Sequence, residues 1–128
     1  CWLKTPGQCV LHDGYENMGK LFSEAEELII ISQCCYGGYS PFVKNVLDRS
    51  ISYLLPFFIM KNEMTKHKKR YENSFALSVY FYGENISSEE MQVAKLLVKA
   101  NSDNYQASEY RVSFCSRPEQ ISFEVENI

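Results

Sequence analysis

The sequence predicts an α/β fold in which helices connect the strands of a mostly parallel sheet. Strands are expected at 27–32, 74–82 and 108–115, and amphipathic helices at 41–55 and 88–103 separate them. Strands that alternate with helices at this spacing are joined by right-handed crossovers and lie parallel. A chain of 128 residues has the size of one domain, so we expect a single domain over 1–128.

The first elements follow from capping and hydrophobic patterns. A loop over 1–12 precedes a helix predicted near 14–25, with Asp13 as its N-cap and Glu16 three residues later, as in a capping box. The apolar run at 28–31 is too short to span a membrane and is rich in β-branched residues. A continuous run of this kind is typical of a strand that is covered on both faces.

The second helix is expected to begin at Pro41, which suits a first helical turn, and to end at Pro56. Its apolar face is formed by Val43, Val46, Leu47, Ile51 and Leu54. The following apolar stretch, 57–60, is either a short strand or an interface segment. A polar, basic connection from Lys61 to Asn73 is expected after it.

The C-terminal half repeats the strand and helix pattern. Gly83 ends the strand at 74–82, and Ser87 with Glu90 forms a second capping-box signal for the helix at 88–103. Apolar and polar residues alternate in the strand at 108–115. Residues 116–128 are expected to form a polar tail with one further candidate strand at 121–125.

Two segments resemble a known family. The segment from Ser32 to Arg49 is similar to the second flavin-contacting loop of the flavodoxin-like NADPH-dependent FMN reductases, with Gly37, Ser40, Lys44, Asp48 and Arg49 matching that motif. The segment Cys1-Trp-Leu-Lys-Thr-Pro-Gly-Gln-Cys9-Val-Leu-His-Asp13 resembles a Cys-Trp-x-x-x-x-Gly-x-Cys-x-x-x-Asp-Asp segment of the family branch that includes iron–sulfur flavoproteins. The two segments occur in the family's order.

The resemblance implies a flavodoxin-like three-layer sandwich that binds FMN and takes hydride from NAD(P)H. The electrons would pass to a quinone, a free flavin or a protein acceptor, and no acid–base residue is required for this cycle. The implied arrangement is a homodimer or higher oligomer, in which Asp48 and Arg49 help to build the dimer contact and the cofactor pocket. The cofactor-binding residues that it implies are Ser32, Gln33, Cys34, Cys35, Tyr36, Gly37, Gly38, Ser40, Tyr82 and Gly83.

Within this set, the turn at 34–40 follows the carboxyl end of a strand, where α/β sheets bind ligands, and its free backbone N–H groups are expected to face the flavin. Tyr36 is expected to cover the face of the flavin ring. The aromatic run Tyr80-Phe81-Tyr82 lies where the family's third flavin-contacting loop should be, and it either stacks on the ring or belongs to the core.

The family's first strand, phosphate-binding loop, first helix and second strand have no counterpart before Cys1, so the fold is expected to be N-terminally incomplete. In strand order 2-1-3-4-5, the strand at 28–31 would then form an open, hydrophobic edge. Either the sequence is a fragment of a longer protein, or another chain covers this edge. The alternative function is a degenerate, non-enzymatic dimerisation or assembly module that binds no flavin, as Gln33 and Cys35 depart from the family motif.

Net charge and cysteine content indicate which partners and metals are not expected. The net charge of −3 offers no general attraction to nucleic acid or to anionic membranes, so neither is an expected partner. Two clustered cysteines, Cys1 and Cys9, are too few for an iron–sulfur cluster or a zinc site, so no metal is expected. An odd number of cysteines, including the adjacent pair Cys34 and Cys35, favours free thiols and a cytoplasmic location.

Two groups of residues each have two possible roles. Cys34 and Cys35 are either reactive thiols, activated by a helix N-terminus, or small residues that fit the turn, and a cysteine-dependent redox sensor is a third reading of function. The basic run 66–70 either attracts cofactor phosphates or is a solvated loop, with Arg70 an interface or cofactor candidate.

Overall fold

The computed structural model describes residues 3–122. Five strands and three α-helices follow one another as α1 (Met18–Glu24), β1 (Glu27–Gln33), α2 (Pro41–Asp48), β2 (Leu54–Lys61), β3 (Met64–Lys69), β4 (Ala76–Tyr82), α3 (Ser88–Tyr105) and β5 (Tyr110–Cys115). Short 3₁₀ turns lie at Arg49–Tyr53 and Pro118–Gln120. The fold is therefore mixed α/β, and the three predicted strands are present.

The three predicted strands form one parallel sheet in the order β1-β4-β5. Ile30 pairs with Val79, and Val79 pairs with Val112. Because the strands are parallel, their carboxyl ends all lie at the same end of the sheet. β4 is the central strand, and Leu77, Val79 and Phe81 are fully buried in it. In the described part of the chain, the second edge of β1 has no partner strand, as predicted for 28–31.

The core lies on one face of this sheet. Ile30 of β1 is buried together with the β4 side chains, with Phe22 of α1, Leu47 of α2 and with Ala94 and Val98 of α3. On the opposite face, Ile29 and Ile31 are 45% and 41% exposed. The prediction that this strand is covered on both faces is therefore wrong for residues 3–122, which form two layers of the expected three.

Helix α3 begins at the capping box that the sequence predicts. The Ser87 hydroxyl accepts a hydrogen bond from the Glu90 backbone N–H at 3.1 Å, and the Glu90 carboxylate accepts one from the Ser87 N–H at 3.0 Å. This reciprocal capping box satisfies two donors that the helix itself leaves unpaired.

Helices α1 and α2 are both shorter than predicted. The N-cap of α1 is Asn17, and Asp13 lies outside the helix. Helix α2 begins at Pro41 as predicted, with the Ser40 hydroxyl accepting from the Val43 N–H at 3.4 Å, but it tightens into a 3₁₀ turn after Asp48. Pro56 therefore lies in a strand and not at a helix end.

The segment predicted as a basic connection is half of a β-hairpin. β2 and β3 pair antiparallel, and the register shifts between Leu54 and Phe58, which brackets Pro56. A bulge of this kind is one of the few places where a strand accommodates proline. Asn62 and Glu63 form the two-residue turn with φ of 52° and 61°, which matches the twist of the two strands.

The C-terminal tail is described only to residue 122. A 3₁₀ turn lies at Pro118–Gln120, and most of the candidate strand at 121–125 lies outside the described residues. No helix within residues 3–122 is long and apolar enough to cross a membrane.

Candidate functional site

The turn after β1 closes on itself. Cys35 and Gly38 exchange two backbone hydrogen bonds of 2.9 Å each, and the two residues between them, Tyr36 and Gly37, have φ of 53° and 77°. Left-handed conformations at both central residues define a tight turn that favours glycine at its second position. The loop is consequently a small, hydrogen-bonded hairpin.

The same loop is fastened to its neighbours at both ends. The Cys34 N–H donates to the Tyr82 carbonyl oxygen at 2.9 Å, which continues the β1–β4 pairing into the loops. The Ser40 N–H donates to the Ser32 hydroxyl at 2.9 Å, and that hydroxyl donates to the Gln33 carbonyl at 2.9 Å. The predicted free N–H groups are therefore already bonded at Cys34, Cys35, Gly38 and Ser40.

All ten predicted cofactor residues lie at the carboxyl end of the sheet. Ser32 and Gln33 end β1, Tyr82 ends β4, and Gln33 pairs directly with Tyr82. The Cys34–Tyr82 hydrogen bond places the turn at 34–40 next to the loop that begins at Gly83. The structure thus brings together two loops that were predicted to act at one site.

The aromatic side chains of this region differ in exposure. The Tyr36 ring is 94% exposed at the tip of the turn. Tyr39, in contrast, is buried, stacks on Phe81 with ring centroids 5.4 Å apart and donates to the Asn101 side chain at 2.9 Å. Tyr82 is half-buried. Of the aromatic run at 80–82, Phe81 belongs to the core.

The two adjacent cysteines are thiols. Cys9, Cys34, Cys35 and Cys115 are all unpaired, as expected, and Cys1 lies outside the described residues. Burial raises the pKa of the Cys34 thiol, although the Gly37 N–H next to it acts in the opposite direction. The direction of this pKa shift disfavours activation of the Cys34 thiol by the helix N-terminus.

Arg49 connects the two segments that carry the family resemblance. Its guanidinium donates to both carboxylate oxygens of Asp13, at 2.5 and 2.9 Å, and to the Cys9 sulfur at 3.2 Å. Hydrogen bonding to Arg49 lowers the pKa of Asp13, and the same contact raises the pKa of Arg49. Asp48 forms an ion pair instead with Lys44.

This cluster was not predicted from the sequence, which assigned Asp13 to a helix cap. The available signal was that Asp13 and Arg49 are the opposite charges at the ends of the two resembling segments. Arg49 is only 17% exposed in its side chain. The Arg49–Asp13 pair is therefore a half-exposed connection within one chain, in a position that was predicted to serve a dimer contact.

Most of the basic run at 66–70 lies in strand β3 and not in a loop. Lys66 forms an ion pair with Asp103 at 3.6 Å, and the Arg70 side chain donates to the carbonyl oxygens of Ser52 at 2.8 Å and Leu54 at 3.3 Å. The Lys69 ammonium donates to the Asn73 carbonyl. These cations hold β3 against the rest of the chain.

A separate cleft of about 600 Å³ lies between the hairpin, the 3₁₀ turn and α3. Its lining includes Asp48, His67 and Tyr105, and the Tyr105 hydroxyl is 2.8 Å from the Ser50 hydroxyl. Residues 34–40 do not line it. The cleft is thus distinct from the predicted cofactor site.

Comparisons with protein-family models, curated proteins and solved structures find no match to this chain. The flavodoxin-like resemblance therefore remains a prediction from the residues quoted above.

Proposed function

We propose that the chain is a flavodoxin-like FMN-dependent NAD(P)H oxidoreductase, with the flavin ring at the carboxyl ends of β1 and β4. The observation that carries the proposal is the Cys34–Tyr82 hydrogen bond, which joins the two loops expected to contact the flavin. Ligands of open α/β sheets bind at this end of the strands. The proposed three-layer flavodoxin-like fold requires a further layer on the face that bears Ile29 and Ile31.

The residues at this site fit a planar, polar ring in two respects. The Tyr36 ring projects from a turn whose conformation is fixed by two backbone hydrogen bonds, so stacking on a flavin would order few additional groups. Because several N–H groups of residues 34–40 are already bonded, the ring edge would contact mainly carbonyl oxygens of this turn, each of which has a second lone pair, and Tyr82, which pairs with Gln33, would lie beside it. Bound FMN would accept hydride from a nicotinamide and pass electrons to a quinone, a free flavin or a protein.

The proposed setting is the cytoplasm, because the four described cysteines are unpaired thiols. The proposed partners are a second copy of the chain and a small-molecule electron acceptor.

Flavin absorption tests the proposal directly. The purified chain is mixed with excess FMN, unbound dye is removed, and the spectrum is compared with that of Tyr36→Ala. We expect a retained flavin band in the parent and a weaker band in the variant, since base–aromatic stacking contributes about 1–3 kcal/mol in related ring contacts.

Tyr110→Ala is the matched control, because Tyr110 is also an exposed tyrosine but begins β5 at the opposite end of the sheet. It should retain FMN as the parent does. A colourless parent protein would contradict the proposal, and equal retention by Tyr36→Ala would remove Tyr36 from the site.

The second candidate is a non-enzymatic assembly module, and it is favoured by the edge of β1 that pairs with no strand of residues 3–122. Ile29 and Ile31 are exposed beside that edge, and an open apolar edge is a template for pairing with another strand. Light scattering separates the two functions. An oligomer without flavin, converted to monomer by Ile31→Lys, would support assembly as the function.

A further inference from the structure

The cleft of about 600 Å³ between the hairpin, the 3₁₀ turn and α3 has an aromatic wall. The wall is Phe58, whose ring centroid lies 4.5 Å from that of His67, its partner across the hairpin. The His67 Nδ1 is 3.0 Å from the Leu55 carbonyl oxygen, so this nitrogen carries a hydrogen and the imidazole is fixed in orientation. Phe58 is still 65% exposed, which leaves ring surface on which a second planar ring can stack.

A carboxylate lines the same cleft. Asp48 ends α2 and is the only Asp, Glu, Lys or Arg among the described lining residues. Burial raises the pKa of Tyr105, and the Asp48 charge acts in the same direction, as expected for two groups that face one cleft. Asp48 pairs through Oδ1 with Lys44 in an exposed ion pair, but an ionised carboxylate has about four acceptor positions. Acceptor positions therefore remain for a ligand.

Helix α3 adds two amide side chains to the cleft. Asn101 and Asn104 are three residues apart and so lie on one face of the helix. The Asn101 Oδ1 accepts from the Tyr39 hydroxyl at 2.9 Å, which fixes the orientation of this amide. Its Nδ2 donor has no hydrogen-bond partner within residues 3–122 and is not enclosed. The cleft thus offers a negative acceptor, an amide donor and an aromatic surface.

We propose that this cleft binds a guanine base, stacked on Phe58 and recognised by Asp48 and Asn101. Guanine presents two neighbouring donors, N1–H and N2–H, to a carboxylate, and its O6 atom beside them accepts from an amide N–H. Adenine has an unprotonated N1 at the corresponding position, and a carboxylate repels that lone pair. A simple alkylammonium ion would pair with Asp48 but would leave the amide donor unmatched. Residues 34–40 do not line the cleft, so this binding is independent of the proposed flavin site.

The test compares guanosine with adenosine. Each nucleoside is titrated against the full chain at pH 7, and binding is followed by ligand-observed NMR. We expect saturable binding of guanosine and binding of adenosine that is weaker by about fivefold or more. Phe58→Ala removes the stacking surface and should weaken both nucleosides by about fivefold or more. Asp48→Asn should weaken guanosine and bring the two affinities closer together, because an amide can accept from guanine or donate to adenine N1.

Each substitution has a matched control outside the cleft. Phe57→Ala removes the neighbouring phenylalanine, which is 64% exposed and does not line the cleft. Glu24→Gln removes the acidic partner of Lys20, in an exposed ion pair of the same spacing as Lys44–Asp48. Both controls should leave the guanosine affinity unchanged. Circular dichroism of each variant checks that the fold is retained, and Phe58→Leu, which keeps an apolar side chain without a ring, should show the same loss as Phe58→Ala.

Three results would overturn the proposal. The first is the absence of saturable guanosine binding by the parent protein. The second is equal affinity for adenosine and guanosine, which would show that no carboxylate reads the edge of the base. The third is an equal loss of guanosine binding in Phe57→Ala and Phe58→Ala, which would place the nucleoside on the outer surface of the hairpin and not in the cleft.

Discussion

Gly37 lies so close to Val93 of α3 that a Cβ atom on residue 37 would be 2.8 Å from the Val93 Cβ. It would also be 2.9 Å from the Glu90 carbonyl oxygen. These distances are below any ordinary carbon contact, and the φ of 77° is itself unfavourable for other residues. The predicted flavin loop therefore packs against the first turns of α3 at this distance because residue 37 has no side chain.

We predict that Gly37→Ala lowers the free energy of unfolding by about 2–4 kcal/mol, from the left-handed backbone and from the clash together. Urea titration followed by circular dichroism measures the change. Gly14→Ala is the control, because Gly14 has φ of 92° but no atom within 4 Å of a new Cβ. It should cost only about 1 kcal/mol, and equal losses for the two variants would exclude the steric contribution.

We predict that Gly19→Ala destabilises the protein by about 1–3 kcal/mol, although alanine is normally the better helix former. The new Cβ would be 2.7 Å from both the Ser52 carbonyl carbon and the Tyr53 nitrogen. These are backbone atoms of the 3₁₀ turn and cannot rotate away. Lys20→Ala, on the exposed side of the same helix, should change stability by less than about 0.5 kcal/mol, and a stabilised Gly19→Ala would show that α1 does not pack on this turn.

We predict that Ser87→Ala lowers stability by about 1 kcal/mol, because the Glu90 N–H loses its acceptor at the start of α3. Thermal and urea unfolding both report this loss. The adjacent Ser88 donates to the exposed Glu89 side chain and does not cap the helix, so Ser88→Ala should stay within about 0.5 kcal/mol of the parent. Similar effects of the two substitutions would contradict the capping box.

Alkaline pH should destabilise the fold through three tyrosines, of which two are buried and one is half-buried. Burial raises the pKa of Tyr39, Tyr53 and Tyr105. The unfolded chain releases phenolic protons at about pH 10, whereas the folded protein retains them to higher pH. Stability is therefore complete below pH 10 and falls as pH rises further.

The measurement is urea unfolding at a series of alkaline pH values, repeated with Tyr39→Phe and Tyr105→Phe. Each phenylalanine variant should show a shallower decline than the parent, because it has one fewer retained proton. A decline of unchanged slope in both variants would assign the alkaline loss to other groups.

Elements with strong local signals were predictable from the sequence. The capping box at Ser87 and the apolar stripe of α3 specified that helix, and the run at 28–31 specified β1. Both depend on residues close together in the chain. The parallel order of the sheet followed from the alternation of strands and helices.

The errors arose where distant residues decide local structure. β3 contains four basic residues in six and becomes a strand because it pairs with the apolar β2. Asp13 bonds to Arg49 across the fold instead of capping α1. After α2, the Ser50 hydroxyl donates to the Leu47 carbonyl at 2.6 Å, a local bond that accompanies the change to a 3₁₀ turn.

The position of the candidate site was predictable, but its internal hydrogen bonds were not. The sequence placed the 34–40 turn at a strand end, and no residue pattern indicated that Cys35 and Gly38 would bond to each other. Tyr36 adopts a left-handed conformation that is uncommon for an aromatic residue. Its exposure therefore emerged only from the three-dimensional turn.

The pairing of β1 with β4 also affects the order in which the strands can pair during folding. The β2–β3 hairpin is closed by a two-residue turn, so its pairing is local and fast, whereas β1 reaches its partner only across α2 and the whole hairpin. During synthesis from the N-terminus, β1 waits without its central neighbour until Ala76–Tyr82 has left the ribosome. The exposed isoleucines of β1, Ile29 and Ile31, are therefore accessible to other chains during the interval before β4 is synthesised.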